Sequence, residues 1–338
     1  MSGSIILGIE SSCDDTSAAI ISGNKILSNV AANQEIHNEY GGVVPELASR
    51  AHQQNIIPVV EKAFSKANIQ QNDICAIGFT RGPGLLGSLL VGTSFAKSLA
   101  MSLGVPLIEV NHLQAHILAH FIDDANPISP TFPFLCLTVS GGHTMIVLVK
   151  DYFEMEIIGK TIDDAAGEAF DKIGKIFDLD YPAGPIIDKL AKEGNPDAFQ
   201  FNKPRMENYD YSFSGIKTSV LYFIQKEVRK NPDFIKENLN DLCASVQKSI
   251  IEILMNKLEK ASVDLNIKDV AIAGGVSANS ALRKAMEHNQ EKLGWNIFIP
   301  KFEYTTDNAA MIAMVAKLKY ERGEFTDIRT TATAKYDL

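Results

Sequence analysis

The chain has 338 residues, enough for two domains or one two-lobed unit with a sizeable core. Its 46% hydrophobic and 22% charged content is that of a soluble globular protein, and a net charge of −9 excludes bulk attraction to nucleic acid, so any such contact needs a local basic patch. Cys13, Cys75, Cys136 and Cys243 form no CxxC pair, residues 1–24 show no signal-peptide pattern, and no apolar run approaches the roughly 20 residues that span a bilayer; these features predict a cytoplasmic protein with free thiols and no membrane contact.

Ile5–Glu10 reads as a buried strand, Ser11–Asp15 as a turn of small and acidic residues, and Thr16–Ser22 as a returning strand. Such a turn can present backbone N–H groups to an anion or carboxylates to a metal, and Asp and Ser also favour turns for local reasons. A helix is predicted from Pro45, a residue suited to a first turn, to Ala67. Arg50 and His52 read as surface or groove residues on that helix. Ile74–Thr80 is a predicted strand. The stretch Thr80–Ser88 carries three glycines and a proline before a predicted helix, Ser88–Leu103. It fits either an anion site at a helix N-terminus or a turn with close backbone packing, and it lacks the Gly-Lys-Ser/Thr of a Walker loop.

Val105–Val110 is a predicted strand that leads into Asn111-His112-Leu113-Gln114-Ala115-His116. On a helix from Val110 to His120, His112 and His116 stand one turn apart on one face. Two imidazoles so placed could bind one metal ion, given further ligands from elsewhere, or could be hydrogen-bonded core histidines. A zincin would need Glu after the first histidine, and Leu113 stands there, which argues against a metalloprotease.

After a loop at 123–131 the pattern restarts: strand Phe134–Val139, turn Ser140-Gly141-Gly142, strand His143–Lys150. Two hairpins of one form predict a duplicated fold with two similar lobes. Glycines in the second turn let the backbone approach a phosphate. Thr161–Phe177 is a predicted helix on which Asp164, Glu168 and Asp171 share a face, the usual pattern of a solvated side. Helix resumes at Ile186–Glu193 after a proline-rich break. Lys203, Arg205, Lys217, Lys226, Arg229 and Lys230 are interleaved with Tyr209, Tyr211 and Phe213, a mixture suited to an RNA surface or to ordinary amphipathic helices. Leu239–Ser262 is a long amphipathic helix. Strand Asp269–Ala273 runs into Gly274–Asn279 and a helix from Ala278 to Glu291, where Asn279 could contact a nucleotide or cap the helix. Asp307, before a helix at Ala309–Tyr320, could be the missing carboxylate ligand or an N-cap. Thr326–Leu338 reads as a tail.

In order along the chain stand Gly8-Ile9-Glu10-Ser11-Ser12-Cys13-Asp14, Gly82-Pro83-Gly84-Leu85-Leu86-Gly87, the His112/His116 pair, Val139-Ser140-Gly141-Gly142-His143-Thr144, the run Asp163–Lys172, Tyr181-Pro182, Ser212-Phe213-Ser214-Gly215, Ala273–Asn279 and Thr306-Asp307-Asn308. This ordered set, spread over residues 5 to 325, resembles the bacterial TsaD family, the tRNA N6-adenosine threonylcarbamoyltransferases. The resemblance implies an α/β, two-lobed actin-like ATPase fold of the acetate kinase, Hsp70 and actin type, with duplicated mixed β-sheet lobes and a central cleft. The lobes are expected at 1–130, joined by helix 309–325, and at 131–308, with a helical insertion at about 161–260.

The resemblance also implies transfer of the threonylcarbamoyl group from threonylcarbamoyl-AMP to N6 of adenosine 37 in tRNAs reading ANN codons. It implies one divalent metal on His112, His116 and Asp307, with Fe(2+) ahead of Zn(2+) or Mg(2+). The donor loop is then Thr138, Val139, Ser140, Gly141 and Gly142, with Asp171, Gly184, Asp188 and Asn279 as further contacts and ATP, ADP or AMP as related ligands. Ala183 departs from the glycine that relatives often carry, while Gly184 is retained. Bacterial relatives work with TsaB and TsaE, and TsaC or its relative supplies the donor. The chemistry joins a weak aromatic amine to a mixed anhydride whose leaving group is AMP. A Lewis acid and oriented amides suit it, and Asp14 and Asp15 are candidates to accept the proton or position the amine. The rival readings are a small-molecule kinase or carbamoyltransferase of the same fold and a non-catalytic scaffold, which would be expected to lose the metal ligands and glycine turns.

Overall fold

The computed structural model describes residues 3–124, 128–204 and 206–338. In it the apolar run Ile5–Glu10 forms strand β1, buried from Ile6 onward. Strand β2 (Thr16–Ser22) returns antiparallel to it, and β3 (Lys25–Ala32) pairs antiparallel with β2. Helix α1 (Pro45–Ala67) begins on its proline and ends at Asn68, whose left-handed φ of 54° stops the helix. Strands β4 (Ala76–Gly82) and β5 (Leu107–Asn111) extend the sheet in parallel, with helix α2 (Leu86–Leu103) between them and α3 (His112–Leu118) leaving β5 directly. The order is β3-β2-β1-β4-β5.

The chain then builds a second sheet of the same design. Strands β6 (Phe134–Val139), β7 (Thr144–Asp151) and β8 (Glu154–Lys160) form an antiparallel meander. Helices α4 (Ala166–Ile176), α5 (Ala183–Ala191), α6 (Ser214–Val228) and α7 (Phe234–Leu265) follow. Strand β9 (Asp269–Ala273), helix α8 (Ser280–Leu293) and strand β10 (Asn296–Phe298) complete the order β10-β9-β6-β7-β8. Each sheet is three antiparallel strands followed by two parallel ones, so the duplication expected from the two hairpins is present.

Helix α9 (Ala309–Glu321) belongs with the first sheet. The chain divides into one unit of residues up to Ser129 with Pro300–Leu338, and a second of Pro130–Ile299. Residues 300–308, assigned above to the second lobe, therefore belong to the first. The reason is local: Lys301 Nζ and Tyr304 Oη both donate to Asp124, at 2.6 and 2.8 Å.

In the first unit the sheet is covered on both sides, which is why β1 is a continuous apolar run. Leu7, Ile9, Ile77 and Phe79 pack with Ile56, Val60 and Phe64 of α1 and Ala96 of α2. On the other side α9 lies close against the strands. A Cβ on Gly8 would stand 2.6 Å from Ala309 O and Ala313 N, and one on Gly78 would stand 2.4 Å from Ala316 Cβ. Glycine is required at Gly8 because the obstacle is backbone. Gly8→Ala is expected to destabilise by about 1–3 kcal/mol in urea unfolding; a loss under about 0.5 kcal/mol would mean that α9 shifts freely.

Several elements differ from the sequence reading. Edge strands β3 and β8 are largely exposed or half-buried, so their alternation is weak and neither is among the predicted elements. Helix α4 starts five residues late because Asp163 is drawn away to accept from Ser212 Oγ, Phe213 N and Ser214 Oγ. Helix α7 starts five residues early, with a non-helical Asn238 (φ −120°) just before the predicted start. Helix α2, at 18 residues, is long and apolar enough by length and composition to cross a membrane, so a run of near-spanning length does exist. It packs on α1 and β4, and Gly92 sits so tightly on Ser11 that an added Cβ would lie 2.2 Å from Ser11 Oγ. All four cysteines are free.

Candidate metal centre

Strand β5 ends at Asn111, whose side-chain oxygen accepts from Leu113 N (2.8 Å) and Gln114 N (3.2 Å) and so caps α3. The cap places His112 at the first helical position and His116 one turn later. From the other end of the chain, Asn308 caps α9 through Met311 N, and Asp307 precedes it. His112 and His116 are buried, and the Asp307 side chain is 28% exposed.

These three side chains form a nearly equilateral triangle. His112 Nε2 lies 3.2 Å from His116 Nε2 and 3.3 Å from Asp307 Oδ1, and His116 Nε2 lies 3.1 Å from the same oxygen. Metal–ligand bonds of about 2.0–2.2 Å set neighbouring donors roughly 2.9 Å apart at a right angle and roughly 3.4 Å apart in a tetrahedron. The triangle falls between those limits, so one ion fits over its face with further positions open.

The proton arrangement also fits. His112 Nδ1 donates to Glu10 Oε2 at 2.9 Å, which leaves the Nε2 lone pair facing the triangle. Glu10 is fully buried at the end of β1 and is itself held by the Ser12 backbone N–H and by Thr80 Oγ1 at 2.7 Å. Among the described residues nothing bonds His116 Nδ1. Burial opposes a charge on His112, but the Asp307 and Glu10 carboxylates outweigh it and raise its pKa well above the ordinary value. Burial likewise opposes the charge on Asp307, and His112 and His116 more than offset it, so its pKa falls well below the carboxylate range. A cation is thus favoured at this spot, and a metal ion would displace the proton.

Asp14 and Asp15 follow β1 and are partly buried. Burial, then repulsion from Asp14, Asp307 and Glu10, pushes the Asp15 carboxyl up to about 7. That is a suitable range for a proton acceptor at neutral pH.

In the second unit the expected donor residues gather around three turns. Thr138 and Val139 are buried at the end of β6. Ser140 Oγ accepts from His143 N, and Ser140 O accepts from Gly167 N at the start of α4. Gly274 packs on Val139, with an added Cβ only 2.5 Å from Val139 O, while nothing stands within 4 Å of a Cβ at Gly141 or Gly142. Asp171 accepts from Ala183 N, beside Gly184, at the start of α5. Asp188 accepts from Ser280 N and Oγ, at 3.1 and 2.7 Å. Asn279 caps α8 and donates to Gln247 Oε1 at 2.7 Å. Asp171 thus anchors a helix start; it does not lie on a solvated face.

Other readings are decided by packing. His52 is fully buried between Thr16 Oγ1 (2.7 Å) and Cys13 O (3.0 Å), while Arg50 is exposed beside Glu46. Tyr211 and Phe213 are core residues and offer no stacking face, and Lys203, Lys217 and Lys230 pair with Glu252, Asp164 and Glu227. Arg205 lies outside the described residues. The Gly82–Gly87 stretch is a close-packing device: an added Cβ on Gly84 would meet Ser12 O at 2.4 Å, and Leu85 N donates to Ser12 O. Glu10, Thr80 and Asn111 received no role from the sequence; the one available signal was an acidic residue closing an apolar strand.

Two sheets of one topology, with an imidazole–imidazole–carboxylate triangle in the first unit, define a protein of the actin-like ATPase and sugar-kinase fold with a candidate metal centre. Solved structures agree on the fold. Full-length HypF is 13% identical with a TM-score of 0.60, over 96% of this chain and 47% of HypF. Component A of Acidaminococcus fermentans (R)-2-hydroxyglutaryl-CoA dehydratase is 16% identical with a TM-score of 0.53, over 94% of this chain and all of that one. The chain belongs to the TsaD family, tRNA N6-adenosine threonylcarbamoyltransferase, whose family model matches residues 25–314. Proteins of that name from Riemerella anatipestifer, Christiangramia forsetii and Porphyromonas gingivalis are 84%, 61% and 61% identical to it, covering 100%, 98% and 96% of this chain and 99%, 97% and 96% of their own lengths.

Proposed function

We propose that this protein transfers the threonylcarbamoyl group of threonylcarbamoyl-AMP to N6 of adenosine 37 in tRNAs reading ANN codons. The observation that carries the reading is the His112–His116–Asp307 triangle with its Glu10-locked tautomer, in a chain of this family. Two imidazoles and one carboxylate with open positions suit Fe(2+), then Zn(2+), and suit the all-oxygen preference of Mg(2+) poorly. A bound dication supplies Lewis acidity toward an oxygen of the donor.

The chain's own residues do the rest. His112, His116 and Asp307 fix the ion, and Glu10 orients His112. The N6 amine attacks the carbamoyl carbon; the new C–N bond forms as the C–O bond to phosphate breaks, AMP departs, and the amine proton passes to Asp15, with Asp14 beside it. In the second unit we assign the nucleotide part of the donor, and ATP, ADP or AMP, to Thr138, Val139, Ser140, Gly141 and Gly142, with Asp171, Gly184, Asp188 and Asn279 shaping the turns. Open space at Gly141 and Gly142 supports close approach of a phosphate to the backbone.

Asp15 gives a pH signature. A base must be deprotonated, so kcat/KM should rise with pH along a limb at or below about 7, the lower end applying when a dication screens Asp307. Asp15→Asn should remove the limb and lower the rate about 10²–10⁴-fold. An unchanged profile in that variant would reassign the proton.

TsaB and TsaE are proposed as partners, TsaC or its relative as the source of donor, and the cytoplasm as the compartment. Exposed Ile57 on α1 and Leu86, Leu90 and Met101 on α2 support a protein partner. The deciding experiment incubates the metal-loaded protein, TsaB and TsaE with threonylcarbamoyl-AMP and unmodified tRNA, then analyses nucleosides by mass spectrometry. Threonylcarbamoyladenosine at position 37 is expected. AMP release without modified nucleoside, or phosphorylation of a small molecule instead, would overturn the assignment.

A further inference from the structure

The segment after Thr330, expected to be a tail, is bound along the ends of β4 and β5. Thr333 N donates to Arg81 O at 2.9 Å, and Gly84 N donates to Ala334 O at 3.3 Å. The contact at Gly82 is backbone on backbone: an added Cβ there would lie 2.1 Å from Thr333 O. A side-chain clasp closes over it. Arg81 lies 4.8 Å over the Tyr336 ring and pairs with Glu109 at 2.9 Å, and Tyr336 Oη donates to the other oxygen of Glu109 at 3.0 Å. The strap ends on Asn111, whose Nδ2 donates to Asp337 O at 2.8 Å and to Tyr336 O at 3.4 Å.

Asn111 is also the cap of α3. That helix has seven residues and carries both imidazoles of the triangle. A helix so short has little stability of its own, so its position is set by what holds its ends. Asn111 uses its oxygen on the helix amides and its nitrogen on the strap carbonyls. Serine would cap equally well, but its single oxygen sits one bond nearer the backbone and cannot reach the helix amides and the strap carbonyls together, and aspartate has no donor for the strap; the Asn111 amide serves both.

We infer that residues 331–338 act as a positioning strap for the metal centre, setting the entry of α3, and with it the His112 and His116 nitrogens, through the Asn111 amide. This rests on the metal reading of the triangle and goes beyond it in giving a non-ligand segment control of the affinity. Among the described residues the strap makes no hydrogen bond to His112, His116 or Asp307, and Asn111 is the residue that bonds both the strap and the start of α3.

The test uses Co(2+) as probe, with affinity from chelator competition and ligand geometry from the visible absorption band. Three variants are compared with the parent chain: a truncation ending at Thr330, Asn111→Ser, which keeps a cap and loses the tether, and Tyr336→Ala, which leaves α3 and its cap untouched. Folded truncated protein and Asn111→Ser are expected to bind Co(2+) about 10–100-fold more weakly, with a shifted band, and their combination no more weakly than either alone. Tyr336→Ala is expected to fall between them and the parent. Should the truncation not fold, Asn111→Ser decides the matter. Folded variants with affinity within about twofold of the parent and an unchanged band, even with a lowered Tm, would make the strap a purely structural element. A parent chain that binds no Co(2+) would overturn the metal reading itself.

Discussion

His116→Ala is expected to lose its bound metal and to lower threonylcarbamoyl transfer by about 10³-fold or more, while the fold persists. Removing one corner of the triangle leaves one imidazole and one carboxylate, too few to hold a dication against water. Lewis-acid stabilisation of developing charge contributes several kcal/mol, and each 1.36 kcal/mol is tenfold in rate, which sets the size of the loss. The fold should survive because the residue lies on a short helix at the end of β5 and among described residues its Nδ1 bonds to nothing. Metal analysis, circular dichroism and the nucleoside assay on one preparation check this. Full transfer activity in a folded, metal-free variant would remove the metal from the reaction. Asp307→Asn should behave alike, since it keeps the shape and deletes the charge that His112 and His116 stabilise.

Glu10→Gln is expected to weaken metal binding about 10–100-fold with all three ligands intact. The glutamine is nearly isosteric and stays buried, but it no longer demands a proton on His112 Nδ1. Its amide nitrogen can donate to that atom instead, which moves the imidazole proton to Nε2 and turns a ligand lone pair into an N–H. The backbone N–H of Ser12 and the Thr80 hydroxyl both donate to Glu10, so the carboxylate cannot swing away to relieve the change. Chelator competition reads the affinity. Transfer should fall at low metal and recover in part when metal is raised, a rescue that His116→Ala should not show. Equal affinity in Glu10→Gln and the parent would show that the tautomer is set elsewhere.

Much of the centre was legible beforehand because its parts are local. The i,i+4 spacing of His112 and His116 is a property of any helix, while Asp307, just before α9, stayed open between a ligand and an N-cap on its local pattern and was named a ligand by the family resemblance. The glycine turns at 140–142 and 274–279 were legible for the same reason. What composition misjudged was burial. Tyr211 and Phe213 read as partners of lysines, but they face the core, and neighbouring Lys203 and Lys217 pair with Glu252 of α7 and with Asp164 just before α4. His52 and the Gly82–Gly87 stretch were ambiguous in the same way: whether a polar residue or a glycine serves a ligand or a neighbouring chain depends on what lies opposite.

By itself the sequence determined the two hairpins, the helices with strong caps, the spacing of the histidines and membership of an ordered motif set, since all of these follow from periodicity and local backbone preference. Only the tertiary structure decided that Asp307 closes a triangle with residues nearly two hundred positions earlier, that Glu10 sets the tautomer of His112, and that residues 331–338 hold the cap of α3. Those contacts arise where β1, β4 and β5 end together beside α9. No local preference specifies which side chains meet at the ends of strands so distant in the chain; the order and register of the sheet do.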